Sequence, residues 1–282
     1  MSGSLINGSF EEPVVPAGTW RLFPDAAQEK SNSVPGWLTS ATDHMIEIWR
    51  SGFNGVPSDD GQQFAELNAT QVSTLYQDVP TIPGMTLHWR LSHRGRQGAD
   101  TMALDIGTPE APVEQRRMTD GNTAWGHYEG TYKIPAGQTT TRFAFRAISA
   151  AGGNQGIGNF LDGVFFGAPD VVISHVQNKG EVKRTQSDEY VEITNRGTWS
   201  ANISGWRLDA DDVGQAFTFP AGTILGPGQS IRVYTNEVHP ESGGFSYGIG
   251  RAIWNDRGDM ARLMDSGDNV MSQFGYGDRT TS

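Results

Sequence analysis

The stretch Arg142-Phe143-Ala144-Phe145-Arg146-Ala147 decides the fold class, because its side chains alternate in polarity and size along the chain. A period of two is typical of a β-strand with one buried face and does not fit a helix. Short alternating or apolar runs recur, with Gly, Pro, Asn and Asp between them, at residues 45–49, 64–68, 87–91, 101–106, 160–166, 171–173, 190–193, 205–208, 217–219, 231–234 and 261–264. Strands at this spacing predict an all-β protein built of sandwiches and not of βαβ units.

Composition narrows the class of protein further. The 282 residues suffice for one large or two modest domains, and 36 glycines with 14 prolines suit short strands joined by turns. The absence of cysteine excludes disulfides, a thiol nucleophile and a thiolate zinc site. A net charge of −11 argues against nucleic acid or an anionic membrane as the partner. No apolar run approaches the roughly 18 residues of a membrane-inserted helix.

The strand pattern breaks at Gly167-Ala168-Pro169-Asp170, where a Gly/Pro turn interrupts it. We therefore predict two β-sandwich domains in tandem, residues 1–168 and residues 169–282. The first eleven residues contain neither a basic stretch nor an apolar segment that would indicate a targeting signal. This predicts a protein that works where it is made, or one whose leader was removed.

An ordered set of motifs characterises the first half: residues 7–11 (NGSFE), 34–37 (VPGW), 46–49 (IEIW), 60–68 (DGQQFAELN), 93–102 (HRGRQGADTM), 132–139 (YKIPAGQT) and 158–164 (GNFLDGV). In this order they resemble the galactose-binding-like jelly rolls of bacterial surface proteins and carbohydrate-binding modules. The resemblance implies a jelly-roll sandwich with a non-catalytic binding or adhesion role at the cell surface or outside the cell. A cytoplasmic or particle-associated location is the alternative.

The same resemblance implies a structural calcium ion. Glu11 and Asp162 match the family positions that supply side-chain oxygens, with backbone carbonyls as the remaining ligands. The alternative is that Glu11 is a solvated turn residue and that Asp162 accepts hydrogen bonds from backbone amides.

Residues that could bind a sugar concentrate on a few strands of the first half. Sugars are bound by aromatic rings and by planar charged groups that hydrogen-bond to hydroxyls. The cluster that contains enough of both consists of Glu47, Trp49, Glu66, His93, Arg94, Arg96 and Asp100. We predict that these residues bind the ligand. The alternative is an ion-paired loop that holds a hairpin, with the tryptophan in the core.

The second half contains its own motif set at residues 188–195 (DEYVEITN), 203–208 (ISGWRL), 217–223 (FTFPAGT), 225–234 (LGPGQSIRVY), 253–256 (IWND) and 258–265 (GDMARLMD). It is similar to the lamin tail domain, an immunoglobulin-like sandwich. This resemblance implies a docking or accessory module and no catalyst.

Catalytic motifs are weak. Gly244-Phe245-Ser246-Tyr247-Gly248 fits the G-x-S-x-G string, but no helix follows it, as a nucleophile elbow requires. The six histidines show no metal-binding spacing. We predict a non-catalytic protein that recognises a glycan or another surface ligand. Two alternatives remain: a structural subunit of a spike, fibre or decorated particle, and a glycan hydrolase that uses Glu47 and Glu66.

Overall fold

A computed structural model shows the architecture of the chain and describes residues 4–28, 31–197, 200–210 and 215–279. The chain divides into two compact units, residues 1–83 with 87–168 and residues 169–282 with 84–86. We call them the first unit and the second unit. The described residues contain no α-helix, and three short 3-10 turns lie at Phe53–Gly55, Ala151–Gly153 and Pro240–Ser242.

The first unit is a sandwich of two antiparallel sheets. Its strands are β1 (Trp20–Pro24), β2 (Leu38–Thr39), β3 (Met45–Arg50), β4 (Gln63–Glu66), β5 (Thr74–Pro80), β6 (Thr86–Arg94), β7 (Asp100–Thr108), β8 (Ala111–Asp120), β9 (Gly126–Lys133), β10 (Thr140–Ser149) and β11 (Phe160–Gly167). The six-stranded sheet has the order β1-β3-β4-β11-β6-β9, and the five-stranded sheet has the order β2-β5-β10-β7-β8. The neighbours are mostly distant in sequence, as a jelly roll requires.

Alternation along these strands sends apolar side chains between the two sheets. Phe143 and Phe145 of β10 are fully buried, and Phe143 stacks on Phe166 of β11 with ring centroids 4.6 Å apart. Trp37 is fully buried between Phe10 and Phe145, at centroid distances of 4.8 and 5.8 Å. The core therefore ties the N-terminal segment to both sheets.

The second unit is an immunoglobulin-like sandwich. Its strands are β12 (Val171–Gln177), β13 (Tyr190–Asn195), β14 (Ala201–Asn202), β15 (Arg207–Asp209), β16 (Ala216–Thr218), β17 (Ile224–Leu225), β18 (Ser230–Tyr234), β19 (Phe245–Ser246), β20 (Gly258–Met264) and β21 (Val270–Gly277). The sheets have the orders β12-β13-β18-β19 and β16-β15-β20-β21, and β14 pairs with β17. Val191, Trp206, Leu208, Val233 and Trp254 are buried in its core. The predicted all-β fold class is confirmed.

Gly244-Phe245-Ser246-Tyr247-Gly248 contains strand β19, which pairs in parallel with β18. Ser246 is therefore a strand residue followed by a loop, and it does not stand on a strand-to-helix elbow. Within the described residues, no helix has the length and apolarity needed to cross a membrane.

Two tryptophans of the first unit test the core directly. Trp37 is fully buried, whereas Trp20 is 37% exposed. We expect Trp37→Ala to lower the free energy of unfolding by about 3–5 kcal/mol, because it removes a large buried ring and leaves a cavity. Trp20→Ala is the matched control and should cost much less. Urea denaturation measures both, and equal losses would contradict this description of the core.

Candidate functional site

Four of the predicted ligand-binding residues meet on the outer face of the six-stranded sheet. In the pairing of β3 with β4, Glu47 lies opposite Glu66 and Trp49 lies opposite Phe64. Because side chains alternate between faces, these four side chains point away from the core between the sheets. Arg96, in the loop after β6, reaches the same place. The structure therefore brings Glu47, Trp49, Glu66 and Arg96 together.

Hydrogen bonds and one cation–π contact join Glu47, Trp49, Glu66 and Arg96 into one cluster. One Arg96 nitrogen, Nη1, donates to both carboxylate oxygens of Glu66 at 2.8 Å, and the Arg96 guanidinium lies 4.7 Å from the centre of the Trp49 ring. Trp49 Nε1 donates to Glu47 at 2.6 Å, and the Gly158 backbone N–H donates to Glu66 at 2.6 Å. The charge of Glu66 is therefore balanced by Arg96.

The two glutamates are an unequal pair. Burial and then the neighbouring charge of Glu66 raise the pKa of Glu47 to about 8. Burial also raises the pKa of Glu66, but Arg96 and the Gly158 N–H oppose that shift. Glu47 therefore holds its proton at neutral pH and shares a hydrogen bond with Glu66.

An aromatic layer closes this cluster from outside. Trp49, Phe64 and Phe160 are at most 1% exposed, and Phe53, Val56 and Trp125 pack against them. The Trp125 indole meets the Phe64 ring edge-on at 5.5 Å and donates to the Pro57 carbonyl at 2.9 Å. Glu66 is fully buried and Glu47 is 4% exposed. The cluster offers neither an open ring face nor an open carboxylate to a ligand in this conformation.

The other three predicted ligand-binding residues lie next to this cluster, on strands β6 and β7. His93 points into the sandwich, is fully buried, and contacts Asp120 at 2.7 Å and the Asn159 side-chain oxygen at 3.0 Å. Asp100 is 1% exposed and accepts from the backbone N–H groups of Arg96 and Asn159. Arg94 donates to the Asn122 carbonyl, and burial lowers its pKa. Ligand contact by these residues stays a prediction, while their visible role is to fix loops.

The two predicted calcium ligands also accept hydrogen bonds from backbone amides. Glu11 accepts from the N–H groups of Gln62 and Gln63 at 2.6 and 2.8 Å. Asp162 accepts from Asp59, Asp60 and Gly163 at 2.7–2.9 Å, and burial raises its pKa to about 8. Among described residues no group of three acidic, cysteine or histidine side chains could hold a metal ion. Calcium binding by Glu11 and Asp162 together with backbone carbonyls stays a prediction.

Sequence reasoning missed a charged array on the outer face of the five-stranded sheet. On β5 and β10, Arg142 lies opposite Asp78 and forms two hydrogen bonds of 2.7 Å with it. The Arg142 guanidinium also lies 4.0 Å from the centre of the Tyr76 ring. These side chains are partly exposed, at 24% for Arg142 and 27% for Asp78. An aromatic ring and planar charged groups thus stand together on a solvent-facing sheet.

The array continues across β7 and β8. Arg146 donates to both oxygens of Asp105, at 2.7 and 3.1 Å, and to Glu114 at 3.0 Å. Arg117 donates twice to Glu114, at 3.1 and 2.9 Å. We call Tyr76, Asp78, Asp105, Glu114, Arg117, Arg142 and Arg146 the exposed array. The sequence signal for this array was the pair Arg142 and Arg146, four residues apart on one strand. Their partners come from three distant strands.

Comparison with known proteins found a family model for the second half and similar solved structures. The family model of the lamin tail domain matches residues 166–278. A solved structure described as "CBM4 structure and function" has 14% identity and a TM-score of 0.32, covering 58% of this chain and 98% of its own. A xylan-binding domain from CBM 22 has 15% identity and a TM-score of 0.36, covering 55% and 97%. The CBM22-2 xylan-binding domain of Paenibacillus barcinonensis Xyn10C has 12% identity and a TM-score of 0.35, covering 52% and 98%. The search of curated proteins found no match.

The Glu47–Glu66 pair predicts a pH dependence of stability. The folded-state pKa of Glu47, about 8, lies above its unfolded value of about 4.3, so the folded state holds an extra proton between these values. Stability should therefore fall as pH rises from about 5 to about 8. Glu47→Gln keeps a hydrogen-bond donor toward Glu66 and should flatten this fall, measured as melting temperature against pH. Asp162 shifts in the same direction, so part of the slope remains. A constant difference between Glu47→Gln and wild type at every pH would contradict this assignment.

The response of stability to calcium tests the predicted ligands Glu11 and Asp162. If they bind calcium, the melting temperature should be higher in calcium than in chelator, and the same melting temperature in both would contradict the site. A saturable rise with calcium that disappears in Asp162→Asn would establish the calcium site that the family resemblance implies.

Proposed function

We propose that the first unit binds a glycan without cleaving it, through the exposed array of its five-stranded sheet. The observation that carries this proposal is a partly exposed set of planar side chains around Tyr76, Arg142 and Arg146. Guanidinium and carboxylate groups hydrogen-bond to hydroxyls, and an aromatic ring contacts the apolar face of a sugar. The array combines these groups on a partly exposed face of the five-stranded sheet.

The exposed array is ordered before any ligand arrives. Immobilising a flexible side chain on binding costs about 0.5–1.5 kcal/mol. Arg142 is already held by two hydrogen bonds to Asp78 and by the Tyr76 ring, and Arg146 is held by Asp105 and Glu114. Much of that ordering cost is therefore met within the folded chain. The remaining N–H groups and carboxylate lone pairs can serve ligand hydroxyls.

Burial of the glutamate pair supports a binding role over hydrolysis. Glycoside cleavage by two carboxyl groups needs one to protonate the leaving oxygen and the other to attack or to activate water. Glu66 is fully buried, Glu47 is 4% exposed, and an aromatic layer separates both from solvent. Substrate has no access to this pair, so a hydrolase is not proposed.

For the second unit we propose an accessory role, docking the glycan-binding unit to a larger assembly at the cell surface or outside the cell. The match of residues 166–278 to the lamin tail domain supports the module type. Its net negative charge in the sequence makes nucleic acid a poor partner.

A glycan array with matched variants tests the proposed function. We expect the wild type to bind a subset of neutral glycans, and Tyr76→Ala and Arg142→Ala each to weaken that binding by at least about tenfold, equivalent to about 1.4 kcal/mol. Lys133→Ala is the control, because Lys133 is exposed on β9 of the other sheet. Circular dichroism checks folding. Binding that survives both array variants, or no binding to any glycan, would contradict the proposal.

A further inference from the structure

Strand β8 forms an open edge of the five-stranded sheet. It pairs with β7 along one side and is the last strand in the sheet order. It has ten residues, as many as β10, and most of its side chains are exposed. Val113 on this strand is a large apolar residue that is 62% exposed. The backbone N–H and C=O groups of an open edge can pair with a further strand.

A β-bulge lies at the middle of β8. Leu104 of β7 lies opposite Arg116, and the next residue of β7, Asp105, lies opposite Glu114. Gln115 is therefore an extra residue on β8. Because the bulge interrupts the alternation of side chains, two residues that are three positions apart across it share a face of the sheet.

The bulge gives β8 a two-fold pattern about the middle of the strand. Glu114 and Arg117, on either side of the bulge, both point to the outer face, where they hydrogen-bond to each other. Val113 and Met118 both point to the inner face, because their partners on β7 are fully buried. Antiparallel strands place residues of the same face opposite each other. A second copy of β8 can therefore pair with the first in a two-fold register in which the faces match.

The charges of β8 are complementary in this register. Glu114 of each copy lies opposite Arg117 of the other, and opposite charges directly across two strands stabilise the pair. Arg117 uses Nε and Nη2 for Glu114 of its own chain, while its Nη1 makes no hydrogen bond to a described residue. Residues 111–120 contain two acidic and two basic side chains, so the strand has no net charge although the whole chain carries −11. Charges that usually keep edge strands apart therefore attract each other here.

We propose that two copies of this chain pair through β8, about a two-fold axis perpendicular to the sheet. Residues 113–118 of each copy form the ladder, because Pro112 has no backbone N–H to donate. The exposed side chain of Val113 lies beside Met118 of the second copy in this register. Two five-stranded sheets thus become one continuous sheet of ten strands.

The pairing has a consequence for ligand binding, which rests on the proposed function. Because opposed residues share a face, the outer faces of both five-stranded sheets lie on the same side of the pair. The two exposed arrays then face the same way. Two linked sites bind a ligand with several epitopes more tightly than one site does.

Analytical ultracentrifugation of charge-reversal variants tests the pairing. A ladder of six residues per strand is a small interface, so we expect the wild type to dimerise reversibly at concentrations up to about 1 mM. Arg117→Glu and Glu114→Arg each place like charges opposite each other, and each alone should raise the dissociation constant at least about tenfold. Lys133→Glu makes the same change of charge as Arg117→Glu on an exposed residue of β9 in the other sheet, and should dimerise like the wild type.

An equimolar mixture of Arg117→Glu and Glu114→Arg tests the register itself. In a mixed pair, positions 114 and 117 again carry opposite charges across the two strands, so the mixture should dimerise like the wild type although neither variant does alone. Failure of the mixture to dimerise, when both variants are folded by circular dichroism, overturns the register.

Hydrogen exchange of the wild type needs no variant and decides if either one does not fold. Amides within 113–118 should exchange more slowly at high than at low protein concentration. A wild type that stays monomeric up to about 1 mM, or a dimer that Arg117→Glu leaves unchanged, overturns the proposal. If glycans bind and no dimer forms, the pairing fails while the proposed function stands. If the dimer forms and no glycan binds, the proposed function fails alone.

Discussion

Hydrogen bonds from loop backbone N–H groups to buried carboxylates are the interaction on which the first unit depends. Asp162, Asp100 and Glu66 each accept from loops that are distant in sequence, and all three are nearly or fully buried. Loops between sheet strands leave amide groups that the ladders cannot pair, and a buried unpaired amide is costly. Each carboxyl group supplies that missing acceptor, so the conformation of each loop follows from an acceptor placed on a rigid strand.

Buried polar groups therefore hold the loops in place, whereas exposed polar groups are accessible to a ligand. Beneath the aromatic layer, carboxylates and arginines already hydrogen-bond to backbone amides or to each other, as Glu66 and Arg96 do. On the outer face of the five-stranded sheet, the Arg142–Asp78 and Arg146–Asp105 pairs are ordered, and their arginines are partly exposed. A ligand can compete only for groups it reaches. The surface of the five-stranded sheet is therefore where we propose that this unit recognises a sugar.

Local pattern predicted the strands well, because alternation along a chain such as Arg142–Ala147 depends on a single strand and its two faces. It predicted the meeting of Glu47, Trp49 and Glu66, since both strands alternate in phase. It could not show that Trp125 and Phe53, from separate loops, cover them. Nor could it show that Arg142 meets Asp78, because that contact depends on the register of β5 against β10, strands about sixty residues apart. The contacts that the sequence did not predict are those between strands and loops that lie far apart in the chain.

Backbone amide NMR of the first unit during titration with a glycan selected on the array is the most direct test of this division. The account predicts shifts along 74–80 and 140–149, where the exposed array lies, and unchanged amides at 45–50 and 63–66 beneath the aromatic layer. Shifts concentrated at 45–50 and 63–66, with β5 and β10 unaffected, would contradict it and return recognition to the buried glutamates.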